Sequence, residues 1–223
     1  MKSVVLLSGG LDSTVNLHEA HRQGQVLLVL TFDYGQRAAQ KEIDISQAIC
    51  RKLGLLHQVI RLDFFKQFGQ SSLLDKSQNI PTGGQVQIDD LKTSQATAKS
   101  VWVPNRNGIF LNIGAGFAEA LNAETVVPGF NAEEATTFAD NSTEYLQALT
   151  RSFSYSTRNK IQAHCFTDRL TKTELVARGK ELGVDFSLIW PCYHSGEKWC
   201  GQCESCQRAK RALEKNQIQW SGL

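Results

Sequence analysis

The sequence predicts an α/β fold, a doubly wound and mainly parallel sheet with a small cysteine-bearing element at its C-terminal end. Short β-rich runs alternate with helical patterns along most of the chain. A Ser-Gly-Gly sequence follows the first of these runs, and four cysteines cluster between residues 192 and 206. Strands that alternate with helices form parallel sheets whose two faces are both covered.

The first 62 residues alternate between the two kinds of pattern. Buried strands are predicted at 3–7, 26–32 and 55–62, and helices at 13–23 and 37–53. Glycine is typical of the position just past a helix end, and Gly54 stands there for the second helix.

Residues 69–100 differ from the rest in composition. Ser, Gln, Thr, Gly and Asp dominate this segment, and its apolar residues show no sustained period. Segments of this length without regular structure are uncommon inside compact domains and are often binding loops or lids. We interpret the segment as a mobile lid, with a passive insertion as the alternative.

Regular patterns resume after residue 107. The predicted helices are 109–121, 142–153, 171–182 and 205–215, and the predicted strands are 125–127 and 162–166. Thr171 and Glu174 have the spacing of a capping box, in which the two residues satisfy each other's backbone N–H groups at a helix start.

The composition excludes several classes of function. The 223 residues include 24 Lys and Arg against 22 Asp and Glu, a net charge of +2. That balance argues against an electrostatic nucleic-acid binder or a polybasic membrane anchor. No apolar run approaches the roughly 18 residues of a membrane span, and the apolar run after Lys2 is too short for a secretory signal. We expect a cytoplasmic protein with small-molecule partners and no direct nucleic-acid contact, and leave a homodimer open.

The strongest local signal is the sequence Ser-Gly-Gly-Leu-Asp-Ser at 8–13, between a buried strand and a helix. Glycines let backbone N–H groups approach a phosphate closely, and the helix directs its positive end at the anion. Asp12 would repel a bare phosphate, so we expect it to act through Mg²⁺ or to hold the loop's own amides. The lysine of a Walker loop is missing. A purely structural turn is the alternative.

The second signal is the cysteine cluster, formed by Cys192, Cys200, Cys203 and Cys206. Without an export signal the expected compartment is reducing, which favours a metal site over disulfides. Four thiolates suit one closed, structural Zn²⁺ per chain. A four-iron cluster could use the same spacing, and unliganded cysteines are the remaining alternative.

The loop resembles the pyrophosphate loop of the N-type ATP pyrophosphatases. This resemblance implies a fold like that of the adenine nucleotide alpha-hydrolases, and cleavage of ATP between its α and β phosphates with AMP left on a substrate oxygen. On it we assign ATP binding to the loop and the first turns of its helix. These residues are Leu7, Ser8, Gly9, Gly10, Leu11, Asp12, Ser13, Thr14, Val15, Asn16 and Leu17.

Three further segments narrow the resemblance: Phe-Asp-Tyr-Gly-Gln-Arg at 32–37, Val-Pro-Asn-Arg-Asn at 103–107 and Lys-Thr-Glu at 172–174. With the loop and the cysteines, in this order, they resemble the 7-cyano-7-deazaguanine synthase family. The family implies an ATP-dependent ligase of queuosine biosynthesis. It would convert 7-carboxy-7-deazaguanine and free ammonia to the nitrile through an adenylated carboxylate and an amide. We assign 1–190 to the ATP pyrophosphatase part and 191–223 to a zinc loop and terminal helix of the same domain.

The resemblance also supplies candidates for substrate or phosphate binding. They are Tyr34, Gln36, Arg37, Arg106, Asn107, Asp140 and Lys172. A tyrosine ring offers a face for a purine-like ring, and an arginine offers a fork for phosphate or carboxylate. A core-edge aromatic and a solvated helix start are the alternatives for Tyr34 and Arg37.

The chain departs from the family pattern at two points. Before the cysteine loop it has Pro191, Cys192 and Tyr193 where members carry Thr-Cys-Tyr, and the other departure bears on the substrate. Members typically carry Asp-Cys-Arg where this sequence has Asp-Asn-Ser at 140–142. Either another arginine, such as Arg151 or Arg158, replaces the missing one, or the substrate differs. A tRNA base or a protein-linked deazapurine is the alternative substrate, and a non-catalytic nucleotide sensor is the alternative to an enzyme.

Overall fold

A computed structural model describes residues 1–68 and 71–219. Five strands form one parallel sheet in the order β3-β2-β1-β4-β5. They are β1 (Lys2–Leu6), β2 (Gln25–Asp33), β3 (His57–Arg61), β4 (Thr125–Val127) and β5 (Gln162–Ala163). The prediction of a doubly wound parallel α/β fold is therefore confirmed.

Eight α-helices connect or cover the strands within the described residues. They are α1 (Leu11–Gln23), α2 (Ala39–Leu53), α3 (Leu91–Val101), α4 (Arg106–Ala120), α5 (Ala132–Ala135), α6 (Thr143–Ser156), α7 (Lys172–Glu181) and α8 (Glu204–Lys215). Short 3-10 turns lie at Asp63–Gln67, Gly83–Gln85, Ala139–Asn141 and Phe186–Leu188. The predicted capping box is present at the start of α7, and α2 ends at Gly54 in the left-handed conformation.

The strand order creates a crevice beside β1. The chain runs from β1 outward to β2 and β3, then returns to place β4 on the other side of β1. Connections therefore leave the carboxyl ends of β1 and β4 in opposite directions, and ligands of open α/β sheets bind at such points. A Cβ atom on Gly129, just after β4, would lie 2.4 Å from the backbone N and Cα of Ser13. The end of β4 and the start of α1 are therefore packed as closely as glycine allows.

The core lies on both faces of the sheet. Side chains of β1 alternate between two buried clusters, with Val4 and Leu6 in the larger and Val5 in the smaller. Helix α1 contributes Val15 to the first cluster and Leu17 to the second. Successive side chains of a strand point to opposite faces, so a sheet with both faces apolar must be covered twice.

The segment predicted as an aperiodic lid has regular structure. It contains helix α3, and its apolar side chains Leu73 and Ile80 are buried in the larger core cluster. The prediction of a segment without regular structure was wrong at residues 91–101, where α3 forms, and Leu73 and Ile80 pack into the core without helical periodicity. Gly69 and Gln70 of the predicted lid lie outside the described residues. Closure over a ligand stays a prediction.

The C-terminal segment packs onto the same core. Cys203, Cys206 and Leu213 are buried in the cluster that also contains Val4. The Thr97 hydroxyl of α3 donates to Glu204 Oε2 of α8 at 3.0 Å. The division at residue 190 stays a proposal, and residues 220–223 of that element lie outside the described residues. No helix in the described part of the chain is long and apolar enough to cross a bilayer.

Candidate active site

A cavity of about 240 Å³ opens at the carboxyl ends of β1, β2 and β4. It is lined by the 8–13 loop, the end of β2, the start of α4, the segment around α5, and residues 190–193. The structure brings most predicted site residues together here: Leu7, Ser8, Gly10, Leu11, Asp12, Ser13, Tyr34, Gln36, Arg106, Asn107, Asp140, Lys172 and Cys192.

The loop is closed by its own serines. Ser8 N donates to Ser13 Oγ at 3.2 Å, the two hydroxyls are 3.2 Å apart, and Gly9 adopts a φ of +71°. The first hydrogen bond of α1 runs from Thr14 N to Gly10 O at 3.1 Å. The N–H groups of residues 11–13 therefore precede the helical ladder, as at any helix start. Residues 11–13 line the cavity at the positive end of the helix dipole, where a phosphate binds well.

Three charged side chains meet beside this loop. Lys172 Nζ lies 2.5 Å from Asp12 Oδ2 and 2.7 Å from Glu134 Oε1. Burial raises the pKa of Asp12 from 3.8 to about 6, and the charge of Lys172 opposes that shift. Burial alone would lower the pKa of Lys172, but the two carboxylates outweigh it and the net shift is upward. Lys172 therefore stays cationic next to the loop.

Asp12 also offers a position for a cation. Its Oδ1 atom is buried and has no hydrogen-bond partner among the described residues. Carboxylate oxygens are the ligands that Mg²⁺ prefers, and Mg²⁺ usually binds through one or two carboxylates plus substrate phosphates. The orphaned oxygen beside a phosphate-binding loop fits that requirement.

Four residues assigned to ATP binding support the loop from behind. Thr14 donates its hydroxyl to Gly10 O at 2.7 Å, and Val15 and Leu17 are buried in the core. Asn16 Nδ2 donates to Asp12 O and to Thr167 Oγ1, which ties α1 to the loop before α7. Their side chains hold the loop rather than line the cavity.

Tyr34 and Arg106 form one wall. Arg106 Nη1 donates to the Tyr34 hydroxyl at 3.3 Å, and its guanidinium carbon lies 5.9 Å from the Tyr34 ring centroid. Burial raises the pKa of the Tyr34 phenol, and the positive charge of Arg106 opposes that shift. A guanidinium held against an aromatic ring keeps its fork available for a planar anion.

Asp140 lines the same cavity as Arg106. Burial raises the pKa of Asp140, while attraction to Arg106 lowers it. Asn141 Nδ2 donates to Asp140 Oδ1 at 3.1 Å. The site therefore presents a carboxylate and a guanidinium within one cavity.

Three predicted arginines lie elsewhere. Arg37 points away from the cavity and donates to the carbonyl oxygens of Asp75, at 2.9 Å, and Gln78. Arg151 and Arg158 are exposed, on and just after α6, and do not line the cavity. Neither the phosphate role expected for Arg37 nor replacement of the family arginine by Arg151 or Arg158 finds support in these positions.

Several lining residues carried no sequence motif of their own. They include Glu42, Trp102, Glu134 and Phe138. The Trp102 and Phe138 rings are stacked, with centroids 6.1 Å apart and planes 8° from parallel. Trp102 directly precedes the Val-Pro-Asn-Arg-Asn motif, and Phe138 lies two residues before Asp140. Adjacency to a motif was therefore the signal that could have found them.

The four cysteines form a compact candidate metal centre. Their sulfur atoms lie within 4.8 Å of one another, and Cys203 N donates to Cys200 Sγ at 3.3 Å. Cys203 caps α8, Cys206 lies in its first turn, and Cys192 also lines the cavity. Four convergent thiol groups fit a tetrahedral Zn²⁺, which leaves no open position for catalysis.

The metal centre and the loop are joined directly. Trp190 N donates to Gly9 O at 2.7 Å, two residues before Cys192. Lys41 Nζ lies 5.1 Å from the Trp190 ring centroid on the outer side of this contact. The cysteine loop therefore braces one end of the anion-binding loop.

These features are typical of an enzyme of the pyrophosphate-loop class: an anion-binding loop after β1 of a parallel sheet, with a candidate cation position at Asp12, in a cavity that Arg106 and Asp140 also line. Residues 2–217 match the family model described as queuosine biosynthesis protein QueC. The chain belongs to this family, as its motifs predicted.

Individual relatives agree with that assignment. A 7-cyano-7-deazaguanine synthase of Bdellovibrio bacteriovorus is 57% identical over 218 residues, which are 97% of this chain and 94% of the relative. One of Pelotomaculum thermopropionicum is 47% identical, over 98% of this chain and 99% of the relative. Among solved structures, an NMN synthetase of Francisella tularensis is 17% identical with a TM-score of 0.48, over 98% of this chain and 78% of that chain. That likeness carries no functional conclusion.

Proposed function

We propose that the chain is a carbon–nitrogen ligase that makes 7-cyano-7-deazaguanine from 7-carboxy-7-deazaguanine, ammonia and ATP, for queuosine biosynthesis. Family membership over nearly the whole chain is the observation that carries this proposal. The cavity agrees with it, since it places an anion-binding loop beside a guanidinium and a carboxylate.

The chemistry requires ATP twice. A carboxylate resists attack by ammonia because oxide is a poor leaving group, whereas transfer of AMP to that oxygen makes it leave readily. Ammonia then displaces AMP and gives the amide. Transfer of a second AMP to the amide oxygen, followed by its elimination, leaves the nitrile.

The loop would bind the pyrophosphate part of ATP. Backbone N–H groups of residues 11–13 donate to its oxygens, and Lys172 adds a positive charge next to them. Asp12 Oδ1 would hold Mg²⁺, which neutralises charge on the departing pyrophosphate. Such fixed dipoles and charges lower the barrier because they need no reorganisation during the reaction.

The deazapurine would bind between Arg106 and Asp140. A carboxylate such as Asp140 accepts two parallel N–H groups, which the guanine-like edge presents. Arg106, held by Tyr34, matches a carboxylate with two donors. Trp102 and Phe138 offer a flat apolar surface at the same cavity. The family carries an arginine two residues after Asp140, which this chain lacks, and Arg106 would supply a positive charge in the cavity instead.

The cysteine cluster would hold one Zn²⁺ with a structural role. A closed four-sulfur site has no position for water or substrate. Its contribution to activity is therefore to hold residues 190–193 against the loop.

Product analysis tests this function. Purified protein with ATP, Mg²⁺, ammonium and 7-carboxy-7-deazaguanine should give the nitrile by mass spectrometry, with AMP and pyrophosphate. Asp140→Asn should weaken use of the deazapurine by on the order of tenfold or more, because one charged acceptor is lost. Asp168→Asn is the matched control, because Asp168 accepts from Thr143 Oγ1 at 2.6 Å and does not line the cavity. AMP without amide or nitrile, or transfer of the deazapurine to another molecule, would contradict the proposal.

A further inference from the structure

Glu42 is an acidic side chain of the cavity to which the proposed ATP and substrate contacts give no role. It lies in the first turn of α2 and lines the cavity together with the loop and Arg106. Gln36 Nε2 donates to Glu42 Oε2 at 2.8 Å and to Phe32 O at 2.9 Å. Gln36 Oε1 accepts from Tyr34 N at 2.9 Å. This buried amide, bonded on both sides, fixes the direction of the Glu42 carboxylate.

The second carboxylate oxygen of Glu42 remains available. Within residues 1–68 and 71–219, Glu42 Oε1 has no hydrogen-bond partner, and this oxygen is not fully buried. Burial raises the pKa of Glu42 from 4.5 to about 7, and Asp33 adds to this effect. The hydrogen bond from Gln36 and the charge of Arg106 oppose it. The group therefore exchanges protons near neutrality, where a general base works best.

The proposed reaction needs a base next to the nitrogen. Nitrogen enters as ammonium, with four hydrogens, and ends in a nitrile, with none. Other acidic groups of the cavity have partners: Asp12 and Glu134 are paired with Lys172, and Asp140 Oδ1 accepts from Asn141 Nδ2 at 3.1 Å. No histidine is found among the described residues that line the cavity.

We propose that Glu42 is the proton acceptor for the incoming nitrogen, a catalytic role that rests on the proposed function. Its carboxylate takes one proton from ammonium, and the lone pair of ammonia attacks the carbonyl carbon of the acyl adenylate. The C–N bond forms as the C–O bond to AMP breaks, and the electron pair leaves with AMP. Glu42 releases its proton to water and then accepts one of the three on the bound nitrogen, which leaves the neutral amide.

Glu42→Gln separates this role from ATP binding. ATP–pyrophosphate exchange in the presence of the carboxylate substrate needs no ammonia, so the variant should keep it within about twofold. Ammonia-dependent amide and nitrile formation should fall by about 10²- to 10⁴-fold, the usual contribution of a general base. Asp44→Asn, an exposed acid two residues further along α2, should match the wild type in both assays.

A second nucleophile sharpens the test. Hydroxylamine is already uncharged at neutral pH, so hydroxamate formation by Glu42→Gln should fall much less than amide formation. Equal loss with both nucleophiles, parallel loss of exchange, or unchanged amide formation would each overturn the role. If Glu42→Gln does not fold, Glu42→Asp must show the same selective loss with ammonia. A wild-type protein without exchange would instead contradict the proposed function.

Discussion

Gly129 lies where the end of β4 meets the start of α1, and the backbone of Ser13 occupies the space that a side chain would need. Gly9, within the loop, is also constrained, with a φ of +71° and the Ile45 side chain 2.8 Å from a Cβ position. An Ile side chain can shift, whereas backbone cannot. The absence of a side chain at Gly9 and Gly129 therefore permits the conformation of the anion-binding loop.

Gly129→Ala should destabilise the protein by about 1–3 kcal/mol, because the new methyl group overlaps the backbone of the loop. It should also weaken ATP binding, since relief of the overlap must move Ser13. Gly116→Ala is the matched control: this exposed glycine of α4 has nothing within 4 Å of a Cβ, and alanine there should stabilise by up to about 1 kcal/mol. Urea unfolding and nucleotide titration measure both effects. Equal stability of the two variants would contradict the close approach.

Glu42 should make stability depend on pH. The folded state raises the pKa of Glu42 from 4.5 to about 7, so it binds this proton more tightly than the unfolded chain does. Stability from this group is complete below pH 4.5 and is lost as pH rises to about 7. Glu42→Gln keeps the Gln36 contact but has no charge to bury. It should equal the wild type near pH 4.5 and exceed it by roughly 1–3 kcal/mol above pH 7. Denaturant unfolding across this range checks the sign, and a constant difference would contradict it.

At the scale of elements, α8 connects the metal centre to the rest of the protein. Arg208 of α8 is buried between Glu204, at 2.9 Å, and Glu133, at 3.3 Å. Glu133 Oε1 in turn accepts from Lys172 N at 2.9 Å, at the start of α7. The ion pairs of Arg208 and Glu133 therefore connect α8, at whose start two of the cysteines lie, to Lys172 beside the anion-binding loop.

Cys203→Ser should remove one metal ligand and keep a residue that is well suited to the N-cap position of α8. We expect about one Zn²⁺ per wild-type chain and little in the variant, with a Tm lower by on the order of 10 °C, since a structural metal contributes folding free energy directly. ATP affinity should change little, because the cysteines are not expected to contact ATP. Cys50→Ala, at a buried cysteine in the other core cluster, controls for loss of a buried sulfur. Iron with visible absorbance in the purified protein would contradict zinc.

Local patterns predicted the elements that form the fold but not the segments that shape the cavity. Strand β4 has the predicted bounds, and α8 differs from its prediction by one residue, since burial and caps act within a few residues of sequence. Helix α3 was missed because two of its four buried positions hold polar residues, Ser94 and Thr97, so its helical spacing does not show in the apolar residues. Arg37 was misplaced because the carbonyl groups it binds are about forty residues away.

The whole molecule gathers its site from distant parts of the chain. One cavity is lined by residues that are tens of positions apart in the sequence. They are the loop at 8–13, Glu42, Arg106, Asp140 and Lys172. A parallel sheet causes this convergence, because every strand ends at the same edge. The motifs predicted which residues carry charge for ligands, while their distances and pairings, such as Lys172 between Asp12 and Glu134, depend on the assembled fold.

One loop of this type occurs in the sequence, so both activations of the proposed reaction must use it in turn. Each nitrile formed should therefore consume two ATP and release two AMP and two pyrophosphates, with no ADP. The amide should appear transiently, and when supplied alone it should be converted with one ATP.

Asp12→Ala tests whether the loop serves both halves of the reaction. It removes the cation position and one partner of Lys172, so formation of the amide from the carboxylate and of the nitrile from the amide should both slow, each by on the order of 10²-fold. Quantifying AMP, amide and nitrile in single time courses gives the ratios. One AMP per substrate with accumulation of the amide would show that the second oxygen is not removed here. Slowing of only one half would mean that the two activations do not share the Asp12 position.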